Sequence, residues 1–375
     1  MSTWSRSVIG LLAALSLGAQ PRPLDPRSTM NITLPDDSPV ALLAADWGES
    51  RTEVRGGAMV LDLHTSLSFR NTSQRRIRGI TLLVLAQDVT PGGKASVSVP
   101  SLDVGPGEAF PVRIDLQLLR PLQAGAGPLV QVELDGVLFD DFSFYGANKL
   151  NSRRSMTIWE TEARRDRRYF RAILEAAGPE GIQKAILESL ARQAERPQLN
   201  ARVLSGGRAT TYEPAQEVSL AFLHLPDAPV SPLAGTARIS AHELRVPSLR
   251  LANRSKTPVR FVEVGWILRD AAGKEVVAGA LPAQVDLPPG AEAEVSQSSV
   301  LRFTRPAGAA FSLRGVTGFI SNVEFADGRV WVPSRDSINH PQLRRALAPS
   351  PEEMRLIELY RKKGLNAVIE QLKRY

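Results

Sequence analysis

The sequence predicts a mainly β protein with some α-helix: two antiparallel β-sandwiches, each followed by a short helical hairpin, arranged as an internal duplication. Three observations lead to this prediction. Apolar residues alternate over many short segments, turn signals recur between those segments, and three landmarks repeat in the same order in the two halves of the chain. The 375 residues are enough for two or three domains with buried cores.

The composition supports a globular chain with many turns. Its 28 glycines and 27 prolines are spread along the sequence, as expected for short strands joined by tight connections. There is no cysteine, which excludes disulfides, thiolate metal sites and a cysteine nucleophile. Packing alone must therefore hold the sandwiches together.

The first element, residues 1–20, has the order of a secretory signal peptide. Arg6 supplies the positive charge, residues 8–17 form a short apolar run, and the small residues Gly18 and Ala19 end it. The run is too short for a permanent membrane anchor, and no later segment is apolar enough to span a bilayer. We therefore expect an exported protein, periplasmic or extracellular, whose mature chain begins near Gln20.

The evidence for duplication is a set of turn signals that occurs twice. The pairs are Asn71-Thr-Ser73 with Asn253-Arg-Ser255, Pro106-Gly107 with Pro289-Gly290, and Asp135-Gly136 with Asp327-Gly328. The second member follows the first by 182, 183 and 192 positions respectively, which fits one module with a loop insertion in its second copy. Both Asp-Gly dipeptides are predicted to be hairpin turns, because Asp-Gly tolerates the positive φ that such turns need.

This order of signals resembles that of bacterial immunoglobulin-like β-sandwich domains. In both, a strand ends in Asn-x-Ser, a long strand and a Pro-Gly turn follow, and a hairpin closes the domain. The resemblance implies an immunoglobulin-like fold for the two sandwiches and, by analogy, a binding or scaffolding role.

The remaining elements follow from helix and turn signals. Thr157 and Glu160 form a capping box, Gly178-Pro179 breaks the first hairpin, and Ser350-Pro351 with Glu353 starts the second. After the signal peptide, the predicted elements are an N-terminal extension with first strands (21–57), sandwich 1 (58–150), basic helical hairpin 1 (151–197), a connector with an early strand (198–239), sandwich 2 (240–335) and basic helical hairpin 2 (349–375).

The positive charge belongs to the helices. Residues 149–171 hold eight basic and three acidic side chains, and residues 344–374 hold eight and four, while the whole chain carries +7. One interpretation is an anionic partner: an acidic protein face, an anionic polysaccharide or lipid headgroups. The other is a solvated helix face with pairs such as Glu160 with Arg164. Nucleic acid is excluded by the predicted export.

The sequence contains no recognisable catalytic motif. The four histidines (His64, His224, His242 and His340) are scattered, and there is no nucleophile elbow or phosphate-binding loop. The densest carboxylate group is Asp135, Asp140 and Asp141, which indicates either turn residues or a calcium or acid–base site. We expect no enzyme activity, no metal and no cofactor.

The candidate site is the basic corner between sandwich 1 and its helix. It comprises Tyr145, Asn148, Lys149, Asn151, Arg153 and Arg154. Arginine, asparagine and the free N–H groups of a helix start can together hold a carboxylate, sulfate or phosphate, either from a partner or from the chain itself. The alternative is a structural corner whose asparagines satisfy backbone groups.

The sequence therefore predicts an exported, non-catalytic binding or scaffold protein of the cell envelope, whose partner is a protein or an anionic envelope polymer. Two alternatives stay open. One is a carbohydrate-active or other hydrolase with a pair of facing carboxylates. The other is a membrane-surface protein held in peripheral contact by its basic helices.

Overall fold

A computed structural model describes residues 22–23, 30–55, 57–86, 92–121, 128–195, 200–204, 216–240, 243–270, 272–296, 300–304 and 313–374. The predicted signal peptide lies outside these residues. The chain divides into two compact units, Met1–Val99 with Asp103–Ser152, and Pro100–Leu102 with Arg153–Tyr375. Both are built mainly from antiparallel sheets, which confirms the predicted mainly β class with additional helix.

The first unit contains two five-stranded sheets. Its strands are β1 (Arg22–Pro23), β2 (Met30–Thr33), β3 (Val40–Asp46), β4 (Arg51–Arg55), β5 (Ala58–Asn71), β6 (Ile77–Leu85), β7 (Lys94–Val99), β8 (Ala109–Pro121), β9 (Val130–Phe139) and β10 (Phe144–Tyr145). One sheet has the order β1-β4-β5-β3 with β8 also on β5, and the other has the order β10-β9-β6-β7 with β2 on β9. The β2–β9 pair is parallel.

Burial explains why the strands of the first unit differ in their pattern of apolar residues. Strand β8 alternates, with Phe110, Val112 and Ile114 buried and their neighbours exposed, as expected for a sheet with one solvated face. Strand β6 is buried along almost its whole length. A strand covered on both faces has a continuous apolar sequence, and β6 ends in such a run.

The second unit contains a six-stranded and a five-stranded sheet. Its strands are β11 (Asn200–Leu204), β12 (Gln216–Ser219), β13 (Ala221–Phe222), β14 (Val230–Ile239), β15 (Glu243–Asn253), β16 (Val259–Asp270), β17 (Glu275–Leu287), β18 (Glu292–Val295), β19 (Val300–Thr304), β20 (Leu313–Phe325) and β21 (Val330–Trp331). The orders are β11-β19-β15-β14-β12 with β18 on β15, and β13-β20-β16-β17 with β21 on β20. One large apolar core includes Trp266, Leu249 and Phe303.

The stretch 198–239 contains more strand than the predicted connector with one early strand. Strands β11 to β14 all fall within it and pair with other strands of the second unit. The alternation of β14 is interrupted because its register against β15 shifts between Pro232 and Ala234. A bulge of this kind moves later side chains to the other face, so the apolar pattern is lost in the sequence.

The described helices all lie at or after Ser152. They are α1 (Ser152–Glu195), α2 (Arg335–Ile338), α3 (Pro341–Ala346), α4 (Pro351–Lys363) and α5 (Leu365–Lys373). Helix α1 is interrupted at Gly178, whose φ of 63° is non-helical, and Pro179 follows. Helix α4 starts as the sequence predicts, because Ser350 Oγ accepts a hydrogen bond from the Glu353 backbone N–H.

The helices of the two predicted hairpins pack on each other. Phe170, Ile182 and Ile186 of α1 share an apolar cluster with Leu356 of α4 and Val368 of α5. Their association buries apolar surface that such short helices cannot bury alone. Within the described residues, no helix combines the length and apolar character needed to cross a membrane.

The prediction of a hairpin turn at Asp135-Gly136 is wrong. These residues lie inside β9, where Gly136 pairs with Thr81 of β6. A Cβ at Gly136 would lie 2.2 Å from Cζ of Phe144, so the ring would have to shift to admit a side chain there. The glycine therefore permits close packing rather than a turn.

The turn that closes this region of the first unit involves Asp141 instead. Its Oδ1 accepts a hydrogen bond from Ser143 N at 2.9 Å, between β9 and β10. In the second unit Asp327 Oδ1 accepts from Arg329 N at 3.0 Å, between β20 and β21. Asp141 and Asp327 thus make the same local contact, each with the backbone N–H two residues on.

Candidate binding site

The two asparagines of the predicted basic corner shape the backbone. Asn148 and Asn151 both have a φ of 56°, a left-handed conformation that asparagine adopts more readily than most residues. Asn148 N donates to the carbonyl oxygen of Asp135 at 3.0 Å, and Asn151 N donates to the carbonyl oxygen of Asn148 at 3.1 Å. The buried carboxylate of Asp135 also accepts from Leu150 N at 3.3 Å. These contacts match the structural-corner alternative.

Two polar side chains of the corner bind carboxylates of the first unit. The Tyr145 hydroxyl donates to Asp37 Oδ1 at 2.5 Å, and desolvation together with this bond raises the pKa of Tyr145 to about 12. Lys149 Nζ lies 2.8 Å from Glu133 Oε2. Both side chains thus already have an anionic neighbour.

Arg154 is a buried clamp within the second unit. Its side chain is only 9% exposed, and its Nη1 donates to Glu263 Oε2 at 3.2 Å while Nη2 donates to Asn322 Oδ1 at 2.5 Å. Its Nε lies 3.2 Å from Glu324 Oε2, and the guanidinium stacks over the Phe261 ring at 3.9 Å from the centroid. The acidic group that Arg154 recognises therefore belongs to the chain.

The six predicted residues are divided between the two units. Tyr145, Asn148, Lys149 and Asn151 belong to the first unit and make the contacts given above. Arg153 and Arg154 belong to the second unit, where Arg153 is exposed and Arg154 is buried against β16 and β20.

Ionic contacts join the helices of the second unit, and the sequence predicted only the pair of Glu160 with Arg164 among them. One centre of this ionic network is Asp166, which has no exposed surface. Its carboxylate accepts from Arg165 Nε at 2.8 Å, from Arg335 Nη1 at 3.0 Å and from Ser350 Oγ at 2.5 Å. Asp166 thereby links α1, α2 and the start of α4.

Glu353 is the second centre of the network. It accepts from Arg335 Nη1 and Arg192 Nη2, each at 3.1 Å, and from Ser189 Oγ at 2.5 Å. Burial acts to lower the pKa of Arg335, but the carboxylates of Glu353 and Asp166 outweigh it and raise that pKa. The Arg335 guanidinium also lies over the Tyr169 ring, 4.2 Å from its centroid.

Two more carboxylates hold a second group of arginines on α1 and α4. Glu160 receives a bidentate bond from Arg167, at 3.1 and 3.0 Å, and a bond from Arg164 at 3.0 Å. Glu352 lies 3.4 Å from Arg167 Nε and 2.6 Å from Arg355 Nη2. Arg167 thus links the two carboxylates of this group.

A small pocket of about 40 Å³ opens beside Arg335 and Glu353. Three arginines line it, Arg192, Arg335 and Arg344, together with the amide of Gln193 and the carboxylate of Glu353. The rest of its wall includes the apolar side chains of Ile338, Leu347, Ala348 and Pro349. The sequence signal for this site was the basic charge of the two helical regions, but some of the carboxylates that pair with its arginines lie far away in sequence, such as Glu353 for Arg192 and Asp166 for Arg335.

Among the described residues, candidate groups for metal binding or acid–base chemistry are few. No group of three or more histidine, aspartate or glutamate side chains there is arranged to hold a metal. The one carboxyl with a strongly raised pKa is that of Glu162, which burial raises to about 7. Arg165 acts to lower this pKa, while Asp166 and Glu263 raise it further.

No family model matches the chain, and no curated protein matches it. Among solved structures, β-glucosidase from Kluyveromyces marxianus in complex with glucose is 10% identical, with a TM-score of 0.15, over 70% of this chain and 45% of that chain. A Se-Met labelled form of the same enzyme is 9% identical, with a TM-score of 0.15, over 72% and 45%. Phpd with cadmium, complexed with hydroethylphosphonate, is 13% identical, with a TM-score of 0.09, over 73% and 81%.

The chain thus spans less than half the length of the glucosidase, and at these TM-scores the likeness carries no argument for fold or activity. The described residues define the class more directly. This is a mainly β protein of two units, with a helical layer and an arginine-lined pocket in the second unit.

Proposed function

We propose that the chain is an exported, non-catalytic binding or scaffold protein of the cell envelope, built from two copies of one immunoglobulin-like module. The observation that supports the two-copy architecture in this proposal is a buried asparagine corner that occurs once in each unit. Asn71 Nδ2 donates to the carbonyl oxygen of Arg75 at 2.8 Å, and Asn253 Nδ2 donates to that of Thr257 at 2.9 Å. Each asparagine Oδ1 accepts from the N–H of the serine two residues on.

The strand pairing supports the same duplication. The β6–β9 pair has bulges between Ile77 and Gly79 and between Thr81 and Leu82. The β16–β20 pair has bulges 182 positions later, between Val259 and Phe261 and between Glu263 and Val264. In each unit an early strand also pairs in parallel with the last long strand, β2 with β9 and β13 with β20. Bulges persist within families, so their repetition favours common ancestry.

The carboxylate of the described pocket is already engaged by neighbouring side chains. Glu353 is the carboxylate that lines the described pocket, and its oxygens already accept from two arginines and a serine. A glycosidase needs two free carboxyl groups that face each other across a cleft. No such pair lines this pocket, so the hydrolase alternative gains no support from it.

A membrane-surface role is the second candidate. It is favoured by exposed cations at the ends of α4 and α5, among them Arg361, Lys363 and Arg374, for which no ion pair is described. Sedimentation with anionic and with neutral vesicles at low and high salt tests it. Salt-sensitive binding to the anionic vesicles alone would favour this candidate over a protein partner.

Export is tested by N-terminal sequencing of the native protein from the fractionated cell. The proposal predicts a mature chain in the extracytoplasmic fraction that begins near Gln20. A native chain that begins at Met1 or Ser2 and stays in the cytoplasm would overturn it. The binding role is tested by capture of partners from the native envelope, described at the end of the Discussion.

A further inference from the structure

We propose that strand β8 of the first unit pairs with the same strand of a second copy of this chain, antiparallel and across a two-fold axis at Ile114. The inference goes beyond the proposed binding role and does not depend on it. It follows from an open sheet edge, from the regular geometry of the strand at that edge and from the order of the charges along it.

Strand β8 is an edge strand of its sheet. It pairs with β5 along its whole length without a register shift, and no other described strand pairs with it. In the second unit β19 lies beside β15 at a sheet edge, and there the chain covers the outer side of β19 with β11. A long, regular edge without such a cover is a template for another strand.

The backbone groups that β8 offers at this edge belong to its odd-numbered residues. The N–H of Asn71 in β5 donates to the carbonyl oxygen of Glu108 at 3.0 Å, so the even-numbered residues of β8 direct their backbone groups toward β5. The N–H of Leu119 points the other way and donates to the carbonyl oxygen of Gly92 at 2.9 Å. Over residues 111–117, the outward groups have no backbone partner within the described chain.

The order of the charges selects a second copy as the partner. Arg113 and Asp115 lie at successive outward positions, and their side chains are 79% and 53% exposed. In an antiparallel pair centred on Ile114, Arg113 of each copy lies directly opposite Asp115 of the other. Opposite charges in this position attract and like charges repel. An axis at residue 113 or 115 would instead oppose two arginines or two aspartates.

The present neighbours of Asp115 leave it available to a second copy. His64 Nδ1 lies 3.2 Å from Asp115 Oδ1, and Arg113 Nε lies 3.9 Å from Asp115 Oδ2. All three side chains are substantially exposed, and exposed pairs of this kind are weak.

The inner face of β8 also matches itself in this register. Val112 and Ile114 are buried, whereas Leu116 is partly exposed. The pairing would place Val112 of one copy opposite Leu116 of the other and so cover the exposed part of Leu116. Pro111 has no N–H, so its pair with Gln117 keeps one backbone bond instead of two, and about six backbone bonds form in all.

The test measures self-association of the full chain by sedimentation velocity over a series of concentrations. The natural chain should follow a monomer–dimer equilibrium. Arg113→Glu would oppose acidic side chains across the axis, and Asp115→Arg would oppose basic ones. Each change should raise the dissociation constant of the dimer at least about tenfold, because two attractive pairs become repulsive.

Two combinations of these changes should restore the dimer. The double variant, Arg113→Glu with Asp115→Arg, exchanges the charges and keeps opposite signs across the axis. An equimolar mixture of the two single variants should form a heterodimer, since one chain is acidic and the other basic at both positions. Neither rescue is expected for a contact that uses another register or another surface.

Further variants separate backbone pairing from charge and from folding. Arg113→Pro removes an outward N–H that β5 does not use, so it should weaken the dimer more than Arg113→Ala. Arg238→Glu reverses an exposed charge on a strand of the second unit and should leave the dissociation constant unchanged. The melting temperature of each variant, measured at a concentration where the chain is monomeric, shows that the fold is intact.

Several outcomes would overturn the proposal. A natural chain that stays monomeric up to millimolar concentration would exclude it, as would single variants that dimerise like the natural chain. A double variant that associates no better than the single variants would exclude the assigned register. If no dimer forms while the chain still captures an envelope partner, the proposed function stands without this inference.

Discussion

The guanidinium of Arg154 meets the carboxylate of Glu263 at 3.2 Å, joining the start of α1 to strand β16. The sequence left open whether the arginines before α1 recognise an external anion or an acidic group of the chain. Arg154 binds an acidic group of the chain, because Glu324 and Asn322 also contact its guanidinium. Helix α1 is thereby fastened at its first turn to one sheet of the second unit.

Replacement of Arg154 by alanine should lower the free energy of unfolding by about 1.5–3 kcal/mol, because the partly buried carboxylates of Glu263 and Glu324 would lose their charged partner. Arg153→Ala, at an exposed neighbouring position, should cost less than about 1 kcal/mol. Denaturant unfolding measures both. Similar losses for the two variants would contradict the assignment of Arg154 as an internal clamp.

The duplicated corners predict matched effects in the two units. Asn71→Ala and Asn253→Ala should each cost about 2–3 kcal/mol, since each leaves buried carbonyl oxygens without a donor. Hydrogen exchange, read separately for residues of each unit, should show loss of protection in the unit that carries the change. Asn339→Ala, at an exposed position, is the control. Widely different losses at Asn71 and Asn253 would argue against equivalent corners.

The packing at Gly136 predicts a steric effect. Gly136→Ala should lower the free energy of unfolding by about 1–3 kcal/mol, because the added methyl would overlap the ring of Phe144. Phe144→Ala in the same chain should make Gly136→Ala nearly neutral. If the glycine change costs as much without the ring as with it, close packing against Phe144 is not the reason for the glycine.

The raised pKa of Glu162 leads to a prediction of how stability depends on pH. Burial raises its pKa from 4.5 to about 7 in the folded chain. Below pH 4.5 the carboxyl is protonated in both the folded and the unfolded state. Between pH 4.5 and about 7 only the folded chain keeps the proton, so the contribution of Glu162 to the free energy of unfolding falls as the pH rises.

In the Glu162→Gln variant the side chain is neutral at every pH, so this fall in the free energy of unfolding should be absent. The variant should therefore gain stability relative to the natural chain as the pH rises from 4.5 to above 7, as chemical unfolding at a series of pH values would show. Glu358→Gln is the control with the opposite sign, because the hydrogen bond to Lys362 lowers the pKa of Glu358. A stability difference between the Glu162 variant and the natural chain that does not change with pH would contradict the raised pKa.

Local signals in the sequence predicted the β class, the break at Gly178 and the start of α4 at Ser350, because each depends on residues close in sequence. The prediction of a turn at Asp135-Gly136 was wrong. A glycine is favoured both in such a turn and where an aromatic ring, here that of Phe144, packs closely against the backbone, and the sequence does not distinguish the two. The ionic network was missed because its pairs, such as Arg335 with Asp166, join residues that lie far apart in sequence. Charge counts located the arginines but not the carboxylates that neutralise them.

The most direct test of a binding role is quantitative capture of partners from the native envelope fraction. The natural chain is immobilised beside an empty matrix, and bound components are compared by isotope-labelled mass spectrometry. We expect at least one envelope component that is enriched by the natural chain over the empty matrix and binds the purified chain in a defined ratio. An envelope fraction from which the natural chain enriches nothing over the empty matrix would contradict the claim that this is a binding or scaffold protein.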